Sequence, residues 1–143
     1  MLIKKYILVA FFLNICSGQN WVQNQRTEKL FKEAVSTYNS GRYATTETIL
    51  NKIIALNYKS FNEKSLLLLL KSQVALNKSD VAKQTAKTFF SKYPRSPFLK
   101  HAMESIGDLF VNNSNYESAY RMYIRSKTYQ IAIPIKSKLI ASF

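Results

Sequence analysis

Ser105-Ile106-Gly107-Asp108-Leu109-Phe110, a polar break at Asn112-Asn113-Ser114-Asn115, and Tyr116-Glu117-Ser118-Ala119-Tyr120-Arg121-Met122-Tyr123 together decide how this chain folds. Apolar side chains recur at three- and four-residue spacing on both sides of the break, which is the period of a helix. A small residue, Gly107, sits midway along the first helix, and Phe110 follows one turn later. After the break the second helix reads Tyr-x-x-Ala-x-x-x-Tyr. Two weaker copies precede this one, with breaks at Gly41 and Asn77; the three breaks stand 36 and 37 residues apart. A two-helix unit of this size cannot bury its apolar face alone and must stack on copies of itself. Stacked copies make a scaffold with a groove, so the pattern points to binding before any chemistry is considered.

The composition agrees. The chain has 143 residues, 47% of them hydrophobic, with only three Gly and three Pro. That is enough for one continuous core and too few turn formers for an all-β fold. Strict alternation of apolar and polar residues is absent. The punctuation predicts helices over 27–39, 43–56, 61–76, 80–92, 97–112 and 115–128, with a seventh from Pro134 to Phe143. Gly41 ends the first, because glycine accepts the left-handed conformation at a helix C-terminus. Ser60…Glu63 and Ser114…Glu117 have capping-box spacing, and Ser96-Pro97 reads as a cap followed by a first helical residue.

Residues 1–18 are expected to be a signal peptide. Lys4 and Lys5 form a positive start, Tyr6 to Ile15 is apolar apart from Asn14, and Cys16-Ser17-Gly18 offers small residues for cleavage. The apolar run is shorter than the about 20 residues needed to span a bilayer. Leu13-Asn14-Ile15-Cys16 is similar to a bacterial lipobox, but Ile15 is large where Gly, Ala or Ser is required, so a cut after Gly18 is preferred to a lipid anchor at Cys16. Export implies a periplasmic or outer-membrane-associated location. Cys16 is the single cysteine, so no internal disulfide forms. The formal charge is +13, and +11 once Lys4 and Lys5 are removed. Drift in an AT-rich genome or an anionic partner would each produce it; export argues against nucleic acid and for an acidic protein, a lipid head group or an envelope polymer.

Gly41-Arg42-Tyr43, Asn77-Lys78-Ser79-Asp80-Val81-Ala82 and Ser114-Asn115-Tyr116-Glu117-Ser118-Ala119 resemble the turn motif of the tetratricopeptide repeat, Gly-x-Tyr-x-x-Ala. The resemblance covers most of 27–130. It implies an all-α, right-handed solenoid of about three helix-turn-helix repeats plus a C-terminal helix. In that packing Ala34, Gly107, Ala82 and Ala119 allow close helix approach, Tyr43 and Tyr116 wedge at the turns, and Leu70 is oversized for its place. Phe89-x-x-x-Tyr93-Pro94-x-Ser96-Pro97 is similar in style to bacterial envelope members, of the outer-membrane assembly lipoprotein and Tol–Pal coordinator kind. The domain reading is 1–18 signal, 19–130 repeats, and 131–143 a capping helix or the start of a further segment. Ile131, Ile133, Ile135, Leu139, Ile140 and Phe143 make that tail apolar for a cap, which leans towards a module of a larger secreted protein, such as one with a solute-binding domain.

No catalytic constellation is visible, and the chain is read as a non-enzyme without cofactor or metal. His101, Glu104 and Asp108 lie on one helix face, at a spacing routine on solvated helices. Leu66 to Leu70 is read as a central helix flanked on both faces. The resemblance places the partner groove on the first helix of each copy: Glu28, Phe31, Val35, Tyr38 and Asn39; Lys64, Leu67, Lys71, Val74 and Ala75; His101, Glu104, Asp108, Val111 and Asn112. Apolar Phe31 and Leu67 stand where the carboxylate clamp of chaperone-binding members needs polar donors. A protein or peptide segment with apolar anchors is therefore the expected ligand. Phe31 and Tyr38 could equally be core. Lys83, Lys87, Arg121 and Arg125 on the second helices predict a basic convex surface for an anionic lipid or polymer.

Overall fold

The computed structural model describes residues 22–141, and every regular element among them is a helix. These are α1 (22–39), α2 (Tyr43–Ala55), α3 (Lys59–Ala75), α4 (Ser79–Lys92), α5 (Leu99–Asn112), α6 (Tyr116–Arg125) and α7 (Tyr129–Ile140). The signal-peptide reading and Cys16 fall outside the described residues.

The turns explain the boundaries. Gly41, Asn77 and Ser114 all take left-handed backbone, with φ of 72°, 53° and 57°. Directly after each, an N–H reaches back five residues: Arg42 to the Thr37 carbonyl, Lys78 to Gln73 and Asn115 to Phe110, at 2.8–2.9 Å. This satisfies carbonyls that the helix end would leave bare. Lys127 does the same at φ 60°, with Thr128 N–H on the Tyr123 carbonyl at 2.9 Å. That turn ends at Arg125 the helix expected over 115–128. It also moves the start of α7 from Pro134 to Tyr129, leaving Pro134 inside the helix.

The expected caps are corrected too. Ser60 lies within α3, whose cap position is Tyr58. Ser114 is the left-handed residue, and its neighbour Asn115 is the cap, accepting the Ser118 N–H at 3.1 Å. Ser96 closes a turn instead of starting a helix, since its Oγ accepts the Phe98 N–H at 2.9 Å and α5 begins at Leu99.

Packing runs between near neighbours in the chain, and α3 packs against α2, α4 and α5. Its leucines divide the interior. Leu69 joins Ala34, Ile49, Leu50 and Ile53 in one cluster. Leu66 and Leu70 join Ala82, Ala86, Phe89, Ala102, Ile106 and Leu109 in a second. A third holds Ala119 and Tyr123 of α6 with Ala132 and Ile135 of α7. The central-helix expectation for the leucine run holds on two faces; Leu67 and Leu68 are only partly buried and turn to an open third face.

Polar contacts tie the turns to the layer before them. Lys78 Nζ pairs with Glu47 of α2 at 2.7 Å, and Asn113 Nδ2 donates to Ser79 Oγ of α4 at 2.9 Å. Tyr43 meets Tyr38 edge-on across the first turn, with ring centroids 5.3 Å apart, whereas Tyr116 packs on the α6–α7 cluster. Tyr129, Ile133 and Ile140 of α7 are exposed. Among the described residues no helix is long and apolar enough to cross a membrane.

Candidate functional site

Two neighbouring clefts open on the α1, α3 and α5 faces. The first, about 200 Å³, is walled by Phe31 and Val35 of α1, Lys64, Leu67, Leu68 and Lys71 of α3, and Phe98 from the segment before α5. The second, about 300 Å³, is lined by Tyr38, by Lys71, Val74 and Ala75, and by Ser105, Asp108 and Asn112. Lys71 belongs to both, so the clefts form one groove with an apolar half and a polar half.

The repeat register builds it. Val35, Lys71 and Asp108 each lie six residues before a left-handed turn residue, and Tyr38 and Val74 each lie three before. Stacking brings these equivalent positions side by side. The acid of the polar half is held in place: Asp108 accepts the Tyr123 hydroxyl at 2.6 Å. Burial, followed by that bond, pushes the Tyr123 phenol far above its ordinary value. Burial also raises the Tyr38 phenol, helped by nearby Tyr43 and by the Asp108 charge. Both tyrosines therefore remain neutral donors at physiological pH.

Not all the anticipated groove residues meet there. Glu28 pairs with Lys32 at 2.7 Å and lines a separate depression of about 370 Å³ formed with Gln25, Lys29 and Lys32. Asn39 is exposed at the end of α1 and lines neither cleft. Val111 packs against Ala119 and Tyr123. Exposed His101 sits 3.1 Å from Glu104. Glu104 faces the α6–α7 turn and accepts the Thr128 hydroxyl at 2.6 Å. Burial raises the Glu104 carboxyl, but the hydrogen bonds from Thr128 and His101 and the Lys100 charge outweigh it, leaving the group below its ordinary value. His101 and Glu104 thus pair with each other, while Asp108 on the same helix face is bound to Tyr123 instead. Leu68, Phe98 and Ser105 are groove residues that the repeat positions did not single out. The Ser96 turn that presents Phe98 was the available signal for it.

The four basic residues expected on the second helices are exposed. Arg121 pairs with Glu117 on its own helix, and Lys83 approaches Asp80 at 3.8 Å. Arg121 and Arg125 also rim a separate cleft of about 560 Å³ walled by Phe110, Met122 and Ile124. Among the described residues no carboxylate lies within 4.0 Å of Lys64, Lys71, Lys87 or Arg125.

No protein-family model matches the chain, and no curated protein and no solved structure matches it either.

Proposed function

We propose that this chain is a non-catalytic scaffold, a tetratricopeptide-like right-handed solenoid that holds a protein or peptide segment in the α1–α3–α5 groove. One observation carries the reading: the cleft is lined from three separate helices by repeat-equivalent pairs, Tyr38 with Val74 and Lys71 with Asp108. Repetition of that kind suits an elongated ligand better than a compact substrate, because each layer offers the same kind of contact to the next stretch of ligand. Apolar walls with a few convergent polar groups supply anchoring and register together. The place of action, the cell envelope, rests on the signal-like residues 1–18 and on the envelope style of Phe89 to Pro97.

The test is affinity capture from the native envelope extract, comparing the parent with Tyr38→Ala and Lys71→Glu. A partner retained by the parent and lost from both variants, with unchanged circular dichroism, is the expected result. Equal recovery by all three proteins would refute the groove.

A second contact is favoured by Lys87 and Arg125, which are exposed and, among the described residues, without carboxylate partners. They suit an anionic lipid or polymer on the second helices. Vesicle binding at low salt should drop in Lys83→Glu with Lys87→Glu; unchanged binding removes this contact.

A further inference from the structure

We infer that the groove selects a partner segment in which a large apolar side chain lies between two carboxylates. This deepens the binding function proposed above and rests on it. The cleft of Phe31, Val35, Leu67, Leu68 and Phe98 has a lysine at each end of its α3 wall. Lys64 and Lys71 are seven residues apart on one helix face, which is two turns or ~10.5 Å along the axis. Among the described residues neither ammonium has a carboxylate within 4.0 Å. Lys32, Lys78 and Lys100 each have a glutamate; what sets Lys64 and Lys71 apart from other unpaired lysines such as Lys87 is that both line the apolar cleft. The two groove lysines are therefore free to meet carboxylates of a ligand.

Geometry converts this into a pattern. An extended segment rises ~3.3 Å per residue and turns alternate side chains to one side. Residues i, i+2 and i+4 then share a face and span ~13 Å, and the flexible lysine stems cover the difference from the lysine spacing. Acidic-x-apolar-x-acidic places the middle side chain in the 200 Å³ cleft with a carboxylate over each ammonium. Asp108, in the adjoining cleft, repels any further acid beyond Lys71, so the acidic pattern stops there. That repulsion disfavours polyacidic segments.

Fluorescence anisotropy on the 143-residue chain with labelled synthetic peptides tests this. One peptide is centred on Asp-Ser-Leu-Ser-Asp, a second has both acids changed to Lys, and a third has Leu changed to Ser. The first should bind, and each of the others should bind roughly tenfold more weakly or worse, as two screened ion pairs or one anchoring side chain would dictate. In Lys64→Glu with Lys71→Glu the order of the first two peptides should invert, with the thermal melt confirming the fold. If the acidic and basic peptides bind alike and the double variant changes neither, the charge pattern is overturned. The groove itself survives that result if Leu67→Asp abolishes binding of both. If Leu67→Asp changes nothing, or no peptide binds, the groove and the pattern fall together.

Discussion

The second and third helical hairpins solve one packing problem with opposite side chains. Seven residues before the turn, α3 carries Leu70 and α5 carries Gly107; nine residues after it, α4 carries Ala86 and α6 carries Tyr123. Leu70 and Ala86 share one buried cluster. At Gly107 the ring of Tyr123 comes so close that an added Cβ would lie 2.7 Å from Tyr123 Cε1. The first hairpin, with Ala34 and Leu50 in a common cluster, falls between the two. The combined volume is what each contact holds steady, and either helix can supply it. Leu70 is therefore no misfit: its partner shrinks to Ala86, and Leu70 is fully buried.

The largest expected effect comes from breaking the third pair. Tyr123→Ala should cost about 3–5 kcal/mol in urea unfolding, and Gly107→Leu about 1–3 kcal/mol through overpacking. Joined in one chain, they imitate the second hairpin. The double variant should then cost at least ~1 kcal/mol less than the two costs added together. Strict additivity would show that the sizes do not compensate.

Tyr123→Phe sharpens the same comparison from its polar end. It keeps the ring against Gly107 and removes the bond to Asp108, and should cost about 1–2 kcal/mol. The second hairpin has Ala86 there and no such bond to lose.

How far the sequence could be read follows the same line. Six helices were legible because Gly41, Asn77, Pro94 and the polar break at Ser114 punctuate them. The α6–α7 turn was not, because lysine at φ 60° carries none of the usual left-handed signature. Surroundings impose it: Ser126 donates to the Tyr123 carbonyl at 3.0 Å and lies 2.8 Å from the Thr128 hydroxyl. Pro134 then misled, since it lies on an exposed face within α7. Most of the groove was visible through repeat register. Glu104 was lost from it because its partner, Thr128, sits in the unrecognised turn, and Val111 because it packs partly buried against the α6–α7 cluster.

That turn supplies the next prediction. Lys127→Gly should stabilise by about 1 kcal/mol, the left-handed strain of an L-residue, measured as a rise in Tm. Gly41→Ala should destabilise by a similar amount, because its φ of 72° needs glycine.

The smallest effect is pH-dependent and contrasts the two carboxylates that tie layers together. Glu47 is held below the ordinary carboxylate value by the Lys78 hydrogen bond, and Glu104 is lowered despite burial. A carboxyl depressed in the folded state contributes stability above its unfolded value of 4.5 and loses it as pH falls through the lower folded value. Tm differences between the parent and Glu47→Gln or Glu104→Gln should therefore be largest near neutrality and shrink on acidification below about pH 4. A difference that persists unchanged in acid would mean that shape, not charge, holds those layers.

From α2 to α7 each helix touches only those one or two places away along the chain. Mechanical force applied at the termini would thus meet no single clasp. The molecule should lengthen in successive small steps, each releasing one layer, and any layer still standing would serve as the template on which the rest rewinds when the load is removed.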